Sequence, residues 1–157
     1  MTKKLNLREL VEHMDFQIEE FSNYVNIQTG EVVSISNDIL LKVEDDEIDL
    51  DNHPEWEHEM IHEAIDLLEN DGDYIEVPSK YEINEYGIME DFAFNVKPDK
   101  VSDKLSRAIQ GRGAFRRFKD TIDELGVTEE WYKYKRERLK EMAIKWCQRN
   151  GIEYREE

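Results

Sequence analysis

Two histidines and a glutamate stand at a spacing that zinc peptidases use. His58, Glu59 and His62 form an HExxH pattern, in which two histidines on one helix share a metal and the glutamate activates its bound water. Helical geometry opposes that chemistry here. At 100° per residue the histidines turn away from the predicted apolar side, which holds Trp56, Met60, Ala64, Leu67 and Leu68. Spacing assigns no third ligand, so we expect neither a catalytic zinc ion nor any other cofactor.

The most distinctive stretch is Gly111-Arg112-Gly113-Ala114-Phe115-Arg116-Arg117-Phe118-Lys119. Glycine-flanked arginine at the start of a helix can present backbone N–H groups and a guanidinium to an anion. The candidate anion-binding residues are Gly111, Arg112, Gly113, Arg116, Arg117 and Lys119. A structural interpretation competes: both phenylalanines join the core, Arg116 and Lys119 pair with Asp120 and Asp123, and the glycines make a tight turn. The sequence favours the structural interpretation and leaves the anion site open.

Aromatic and basic side chains alternate between Trp131 and Arg138, as they do on surfaces that stack nucleic-acid bases. Helical spacing instead groups Trp131 with Leu139 and Trp146 in the core and leaves the basic side chains in water. Cys147 follows Trp146 at the edge of that apolar stripe. We expect this lone cysteine to be a small core residue, and it excludes an internal disulfide.

The chain of 157 residues has a net charge of −17, which opposes generic nucleic-acid binding. Residues 1–100 hold 27 acidic and 7 basic side chains, and residues 101–157 hold 11 and 14. Between Glu44 and Glu76 stand 15 acidic residues and no Lys or Arg. This acidic stretch (44–76) is interpreted as a solvated surface, with a basic protein partner as the alternative. No segment is apolar enough for a membrane helix or a signal peptide, so we expect a cytoplasmic protein without membrane contact.

The first half of the chain mixes helices and strands. Apolar periodicity predicts a helix over residues 5–22, and two β-rich runs around Gly30 predict a hairpin over 24–35. A further short strand is predicted over 39–43, followed by an acidic connection at about 44–53. A helix opening at Pro54 and stopping at Asn70, then a strand at 74–77, complete this half.

Helical patterns fill the second half, with helices over 81–95, 102–110, 114–125 and from Trp131 to Asn150. We therefore predict a single α+β domain over 1–157. It is mostly helical and contains a small antiparallel sheet, made from the N-terminal hairpin and the strand near 74–77.

Two ordered motifs resemble the signatures of UPF0158, an uncharacterised bacterial protein family. The first motif comprises Pro78, Glu85-Tyr86, Ile88-Met89 and Phe92, and the second comprises Gly111–Asp120, Trp131-Tyr132, Trp146 and Asn150-Gly151-Ile152. Tyr24 with Thr29-Gly30-Glu31-Val32 is similar to the family's opening segment. The resemblance implies a small cytosolic protein of a bacterium or phage. It supplies no catalytic residues, and His58 and His62 lie outside both signatures.

These observations favour a non-enzymatic binding or regulatory protein with an unidentified protein partner. Its predicted surface joins the Gly111–Lys119 turn to the 81–92 helix, where Glu85 and Glu90 position or neutralise the basic groups. A phosphate or nucleic-acid ligand ranks below a protein partner. The first alternative is a hydrolase or nucleotide-handling enzyme at the same surface. The other alternative, ranked lower, is a metal-dependent hydrolase using His58, Glu59 and His62.

Overall fold

The computed structural model describes residues 4–156, which form two compact units. The first unit runs up to Ser79 and resumes at Ala143, and the second unit is Lys80–Met142. Strands occur in the first unit, while the second is helical. The predicted class is confirmed: the protein is α+β and mostly helical, with a small antiparallel sheet. That residues 1–157 fold as a single domain stays a prediction.

The first unit begins with alternating short strands and helices. They are β1 (Leu5–Asn6), α1 (Leu7–Asp15), β2 (Phe21–Asn26), β3 (Glu31–Ser36), α2 (Asn37–Glu44), α3 (Glu55–Glu69) and β4 (Tyr74–Glu76). Single 3-10 turns at Leu50–Asn52 and Asp71–Asp73 flank α3. The predicted acidic connection therefore lies between α2 and α3, and the predicted helix after Pro54 is confirmed as α3.

β2 is the central strand of a three-stranded antiparallel sheet in the order β3-β2-β4. Tyr24 pairs with Val33 on one side and with Glu76 on the other. The predicted hairpin is confirmed, and Gly30 supplies the positive φ of 71° that its turn requires. One face of the sheet contributes to the main core of the unit, whose buried members are Val33, Ile35, Ile39, Ile61, Ala64 and Leu67. The opposite face carries Asn23, Val25 and Ser34 toward α1.

A two-stranded parallel sheet joins the first and last segments of this unit. β1 pairs with β5 (Tyr154–Arg155), and the Leu5 N–H donates to the Glu153 carbonyl at 3.0 Å. Leu5 itself is fully buried. The sequence did not predict this pairing, because two strands of two residues each show no periodicity.

Two predictions in this unit were wrong. The helix predicted over 5–22 is confined to Leu7–Asp15, because Phe21 already pairs with Ser36 as the first residue of β2. The strand predicted over 39–43 is part of α2 instead. Ile39 and Val43 stand four residues apart, so a helix places both against the same apolar cluster, which outweighs the β propensity of branched side chains.

The second unit packs short helices around an aromatic centre. They are α4 (Lys80–Ile83), α5 (Glu85–Asn95), α6 (Asp99–Ala108), α7 (Ala114–Glu124) and α8 (Thr128–Arg149), of which α8 continues beyond Met142 into the first unit. The helix predicted over 81–95 is interrupted at Asn84, whose φ is 52°. Trp131 lies 4.8 Å from Phe118 and 5.5 Å from Phe92 between ring centroids. The prediction that Trp131 is a core residue is thus confirmed. No helix within residues 4–156 combines the length and apolarity needed to cross a bilayer.

Candidate functional site

The Gly111–Lys119 segment forms the turn between α6 and α7 and the first part of α7. α6 ends at Ala108 and α7 begins at Ala114. Gly111 and Gly113 have φ values of 75° and 74°, in the left-handed region where a Cβ would be strained. A Cβ on Gly113 would also lie 3.1 Å from an Arg117 guanidinium nitrogen. The glycines therefore have the turn-forming role that the structural interpretation predicts.

Arg117, although exposed, is hydrogen-bonded to the backbone of this turn. Its Nε donates to the Ala108 carbonyl at 2.8 Å, and its two terminal nitrogens donate to the carbonyls of Gln110 and Arg112. These carbonyls lie at and just beyond the C-terminus of α6, where a cation complements the helix dipole. Arg117 was predicted to contact an external anion, but its guanidinium is occupied by the backbone.

The other three basic side chains of the segment lack such contacts. Arg112, Arg116 and Lys119 are exposed, and across residues 4–156 none of their side chains has a hydrogen bond or ion pair. The predicted pairs of Arg116 with Asp120 and of Lys119 with Asp123 are therefore not formed. Three of the predicted cations thus have no internal partner.

An aromatic contact joins α5 to the turn. The Tyr86 hydroxyl donates to the Ile109 carbonyl at 2.9 Å, and the Tyr86 ring meets the Phe115 ring edge-on at 6.2 Å. Phe115 is 45% exposed, whereas Phe118 is 1% exposed, so only one of the two phenylalanines predicted for the core is there. Arg112, Phe115, Arg116 and Lys119 together are called the basic turn surface below. The turn is predicted from the sequence to join this helix, but Tyr86 as the connecting residue is not.

Glu85 and Glu90, the two acidic residues that the sequence assigns to this surface, make no ion pair with its arginines in the part of the chain that the structure describes. Glu85 pairs with Lys135 of α8, with 2.8 Å between Oε1 and Nζ. Glu90 is half-buried on α5. The ion pair of Glu85 is thus with Lys135, and the role predicted for Glu85 and Glu90, to position or neutralise the basic groups, stays a prediction.

A second charged contact on α5 stabilises the helical unit. Arg138 donates from one guanidinium nitrogen to Asp91 Oδ2 and to the Tyr134 hydroxyl, both at 2.8 Å. The hydrogen bond with Asp91 raises the pKa of Arg138. Tyr134 is also 5.4 Å from Phe92 between ring centroids. These basic residues of α8, which resemble a base-stacking surface in sequence, are therefore partly used in internal contacts.

The HExxH pattern on α3 is not arranged as a metal site. His58 lies within hydrogen-bond distance of two backbone carbonyls through its Nε2, at 2.9 Å from Leu50 and 3.1 Å from His53, while His62 is exposed. The predicted orientation of α3 is partly wrong, because Trp56 is 76% exposed and His58 is half-buried. Within residues 4–156, no three His, Cys, Asp or Glu side chains are grouped to hold a metal ion. His58 instead links the acidic connection to α3 through these two carbonyls.

Cys147 is fully buried, which confirms its predicted place in the core. Burial raises the pKa of its thiol to about 11. The thiol is therefore protonated at neutral pH, and this cysteine is unsuited to act as a nucleophile.

The comparisons with known proteins identify a family and assign it no biochemical activity. A UPF0158 protein of Pseudomonas aeruginosa is 35% identical over 68 residues, which are 43% of this chain and 44% of that protein. The chain thus matches less than half the length of this relative. No solved structure gives a significant match. The model of the uncharacterised protein family UPF0158 matches residues 2–157. The chain therefore belongs to the UPF0158 family.

Proposed function

We propose that this protein is a non-enzymatic binding module that contacts an acidic segment of a protein partner through the basic turn surface. The observation that carries this proposal is that the arginines of the turn differ in their hydrogen bonding. Arg117 donates to three backbone carbonyls of the turn, whereas the exposed side chains of Arg112 and Arg116 make no hydrogen bond or ion pair within residues 4–156. A binding surface held in one conformation loses less entropy when a partner arrives.

The chemistry of the surface matches carboxylates. A guanidinium can donate two parallel hydrogen bonds to one carboxylate, and such charge-assisted pairs are the strong ones. Phe115 adds an exposed aromatic ring beside them, and arginine and aromatic residues are enriched at protein interfaces.

The charge distribution favours a short acidic segment over a nucleic acid. By sequence the first unit has 25 acidic and 7 basic residues, a net charge of −18, and the second unit has 13 and 14, a net charge of +1. A long polyphosphate chain is repelled by this total charge, while a peptide with a few carboxylates meets mainly the local field. We also expect the protein to act in the cytoplasm.

Nuclear magnetic resonance (NMR) titration with a hexaglutamate peptide, blocked at both ends, tests the proposal. The backbone amides of residues 111–119 should shift, and Arg112→Gln/Arg116→Gln should weaken binding by roughly tenfold or more. Lys100→Gln/Lys104→Gln removes the same charge from α6 and should leave the affinity within about twofold. The absence of shifts at the turn, or equal loss in both variants, contradicts the proposal.

Inorganic tripolyphosphate serves as the second probe in the same titration. If it shifts residues 111–119 and hexaglutamate does not, the surface is a phosphate site. The alternative of a nucleotide-handling enzyme then takes the place of the protein-binding module.

A further inference from the structure

An open pocket lies in the first unit between the C-terminal end of α1 and the face of the sheet opposite the main core. Its volume is about 280 Å³. The lining residues are Glu12, His13, Phe16, Ile18, Asn23 and Ser34. This size is at the lower end for ligand pockets, which suits a molecule of one ring with one polar group.

Asn23 is a polar residue that lines this pocket and is almost fully buried. It is 8% exposed, and among residues 4–156 its carboxamide has no hydrogen-bond partner. Its backbone, in contrast, is paired, since Val77 N–H donates to the Asn23 carbonyl at 3.0 Å. Within residues 4–156 the buried side-chain polar atom without a partner is Thr128 Oγ1, so the Asn23 carboxamide reaches solvent through the pocket, and its donor and acceptor are available to a ligand.

Strand pairing places a second polar group beside Asn23. Ser34 is directly opposite on β3, and its hydroxyl also makes no hydrogen bond within the described range of the chain. The next pair on the same face of the sheet is Val25 with Val32. On its other side the neighbouring pair is Phe21 with Ser36, so Asn23 and Ser34 form a polar pair between a mixed pair and an apolar one.

The apolar rim of the pocket is exposed and yet held in place. Phe16 is 77% exposed and Ile18 is 57% exposed. Gln17, which stands between them, donates to the Met14 carbonyl at 3.2 Å and to the Pro78 carbonyl at 2.7 Å. These hydrogen bonds anchor Gln17 between the two exposed side chains.

The polar groups also define the charge of a suitable ligand. The Nδ1 atom of His13 lies 2.9 Å from the Glu9 carbonyl and donates to it. Glu12 places a carboxylate at the pocket. Together with the net charge of −18 on this unit, this carboxylate opposes an anion.

We propose that this pocket is a binding site for a small neutral or cationic molecule with an amide-like edge on an apolar ring. The Asn23 carboxamide provides an adjacent donor and acceptor for that edge, and the Ser34 hydroxyl provides a further group. Phe16 and Ile18 cover the ring. This site is separate from the basic turn surface and does not depend on its function.

Four fragments of one size test this proposal by NMR on the full chain: benzamide, benzamidine, benzyl alcohol and benzoate. Benzamide and benzamidine should shift the side-chain amide signals of Asn23, with affinities in the millimolar range. Benzyl alcohol has the ring without the edge, and benzoate has the wrong charge, so each should bind at least about fivefold more weakly. The proposal is overturned if 10 mM benzamide leaves Asn23 unshifted, or if benzoate binds equally well.

Single substitutions test whether benzamide binds in this pocket. Phe16→Ala removes an exposed side chain and should weaken benzamide binding at least about threefold without unfolding the protein. Tyr81→Ala, at a tyrosine that is 95% exposed in the second unit, is the matched control and should bind normally. Ser34→Ala should weaken binding as well, which gives a second polar test beside Asn23→Ala. Unchanged affinity in both Phe16→Ala and Ser34→Ala would remove the site.

Discussion

The Arg117 guanidinium hydrogen-bonds to the Ala108 carbonyl nine residues earlier, at 2.8 Å from Nε. With its contacts to Gln110 and Arg112, this arginine binds the end of α6 and the turn that follows it. One side chain therefore donates to the last carbonyl of α6 and to two carbonyls of the turn. Its neighbour Arg116 has no such contact, although the two are identical in type and adjacent in sequence.

Arg117→Lys should lower the free energy of unfolding by about 1–2 kcal/mol, because an ammonium cannot reproduce a planar fork that reaches three carbonyls. Arg116→Lys is the matched control with the same charge, and its effect should be within about 0.5 kcal/mol. Urea unfolding followed by tryptophan fluorescence measures both. Equal stability of the two variants would show that the turn does not need Arg117.

Gly87→Ala should destabilise the start of α5. Asn84 Oδ1 accepts from the Gly87 N–H at 3.2 Å as the helix cap, and a Cβ on Gly87 would lie 2.7 Å from Asn84 Nδ2. Displacing this cap costs about 1–2 kcal/mol, which exceeds the roughly 0.5–1 kcal/mol that alanine gains over glycine within a helix. Gly72→Ala is the control, because its Cβ meets nothing within 4 Å, and it should be neutral or slightly stabilising. Thermal unfolding of both variants checks the prediction, which fails if their melting temperatures agree.

Thr128→Val should keep or raise the stability of the protein. Thr128 Oγ1 is buried at the start of α8 and has no hydrogen-bond partner among residues 4–156. Replacing an unpaired buried hydroxyl by a methyl group of similar shape removes its desolvation penalty. Denaturant unfolding should show a change between zero and about +1 kcal/mol. A clear loss of stability would mean that the hydroxyl has a partner in solution.

Because of Tyr74, the stability of the protein should fall in alkaline solution, where the phenol ionises. Burial and then the hydrogen bond to Asp66 raise the pKa of Tyr74 from 10.0 to about 12. Between these values the folded state holds a proton that the unfolded state has released, so the free energy of unfolding falls as pH rises from 10 to 12. Tyr74→Phe lacks this contribution and should show a flatter dependence. Urea titrations at pH 9, 10, 11 and 12 compare the slopes, and parallel curves would contradict the assignment.

Much of the fold was accessible from the sequence because its signals are local. Periodicity located α3, α7 and the β2–β3 hairpin, and the glycines marked their ends. The errors arose where a distant partner decides the structure. Phe21 belongs to a strand because Ser36 is opposite it, and Leu5 pairs with Tyr154 at a separation that no periodicity reveals.

The candidate site was predictable in position and less so in detail. The Gly-Arg-Gly spacing identifies a turn before a helix, and the turn lies beside α5 as expected. Which arginine points to the backbone depends on the path of α6, so Arg117 could not be told from Arg116. Asn23 and Ser34 gave no signal, since isolated polar residues in a hairpin are usually solvated.

The pairing of Leu5 with Tyr154 sets an order for folding during synthesis. The first unit requires residues from both sides of the second unit, so its parallel β1–β5 pair forms only after the ribosome has made residue 154. The second unit is continuous from Lys80 to Met142, and all its helices except the end of α8 are available earlier. Until then, the buried face around Leu5 lacks its strand partner, and the nascent chain exposes apolar surface that a chaperone can bind.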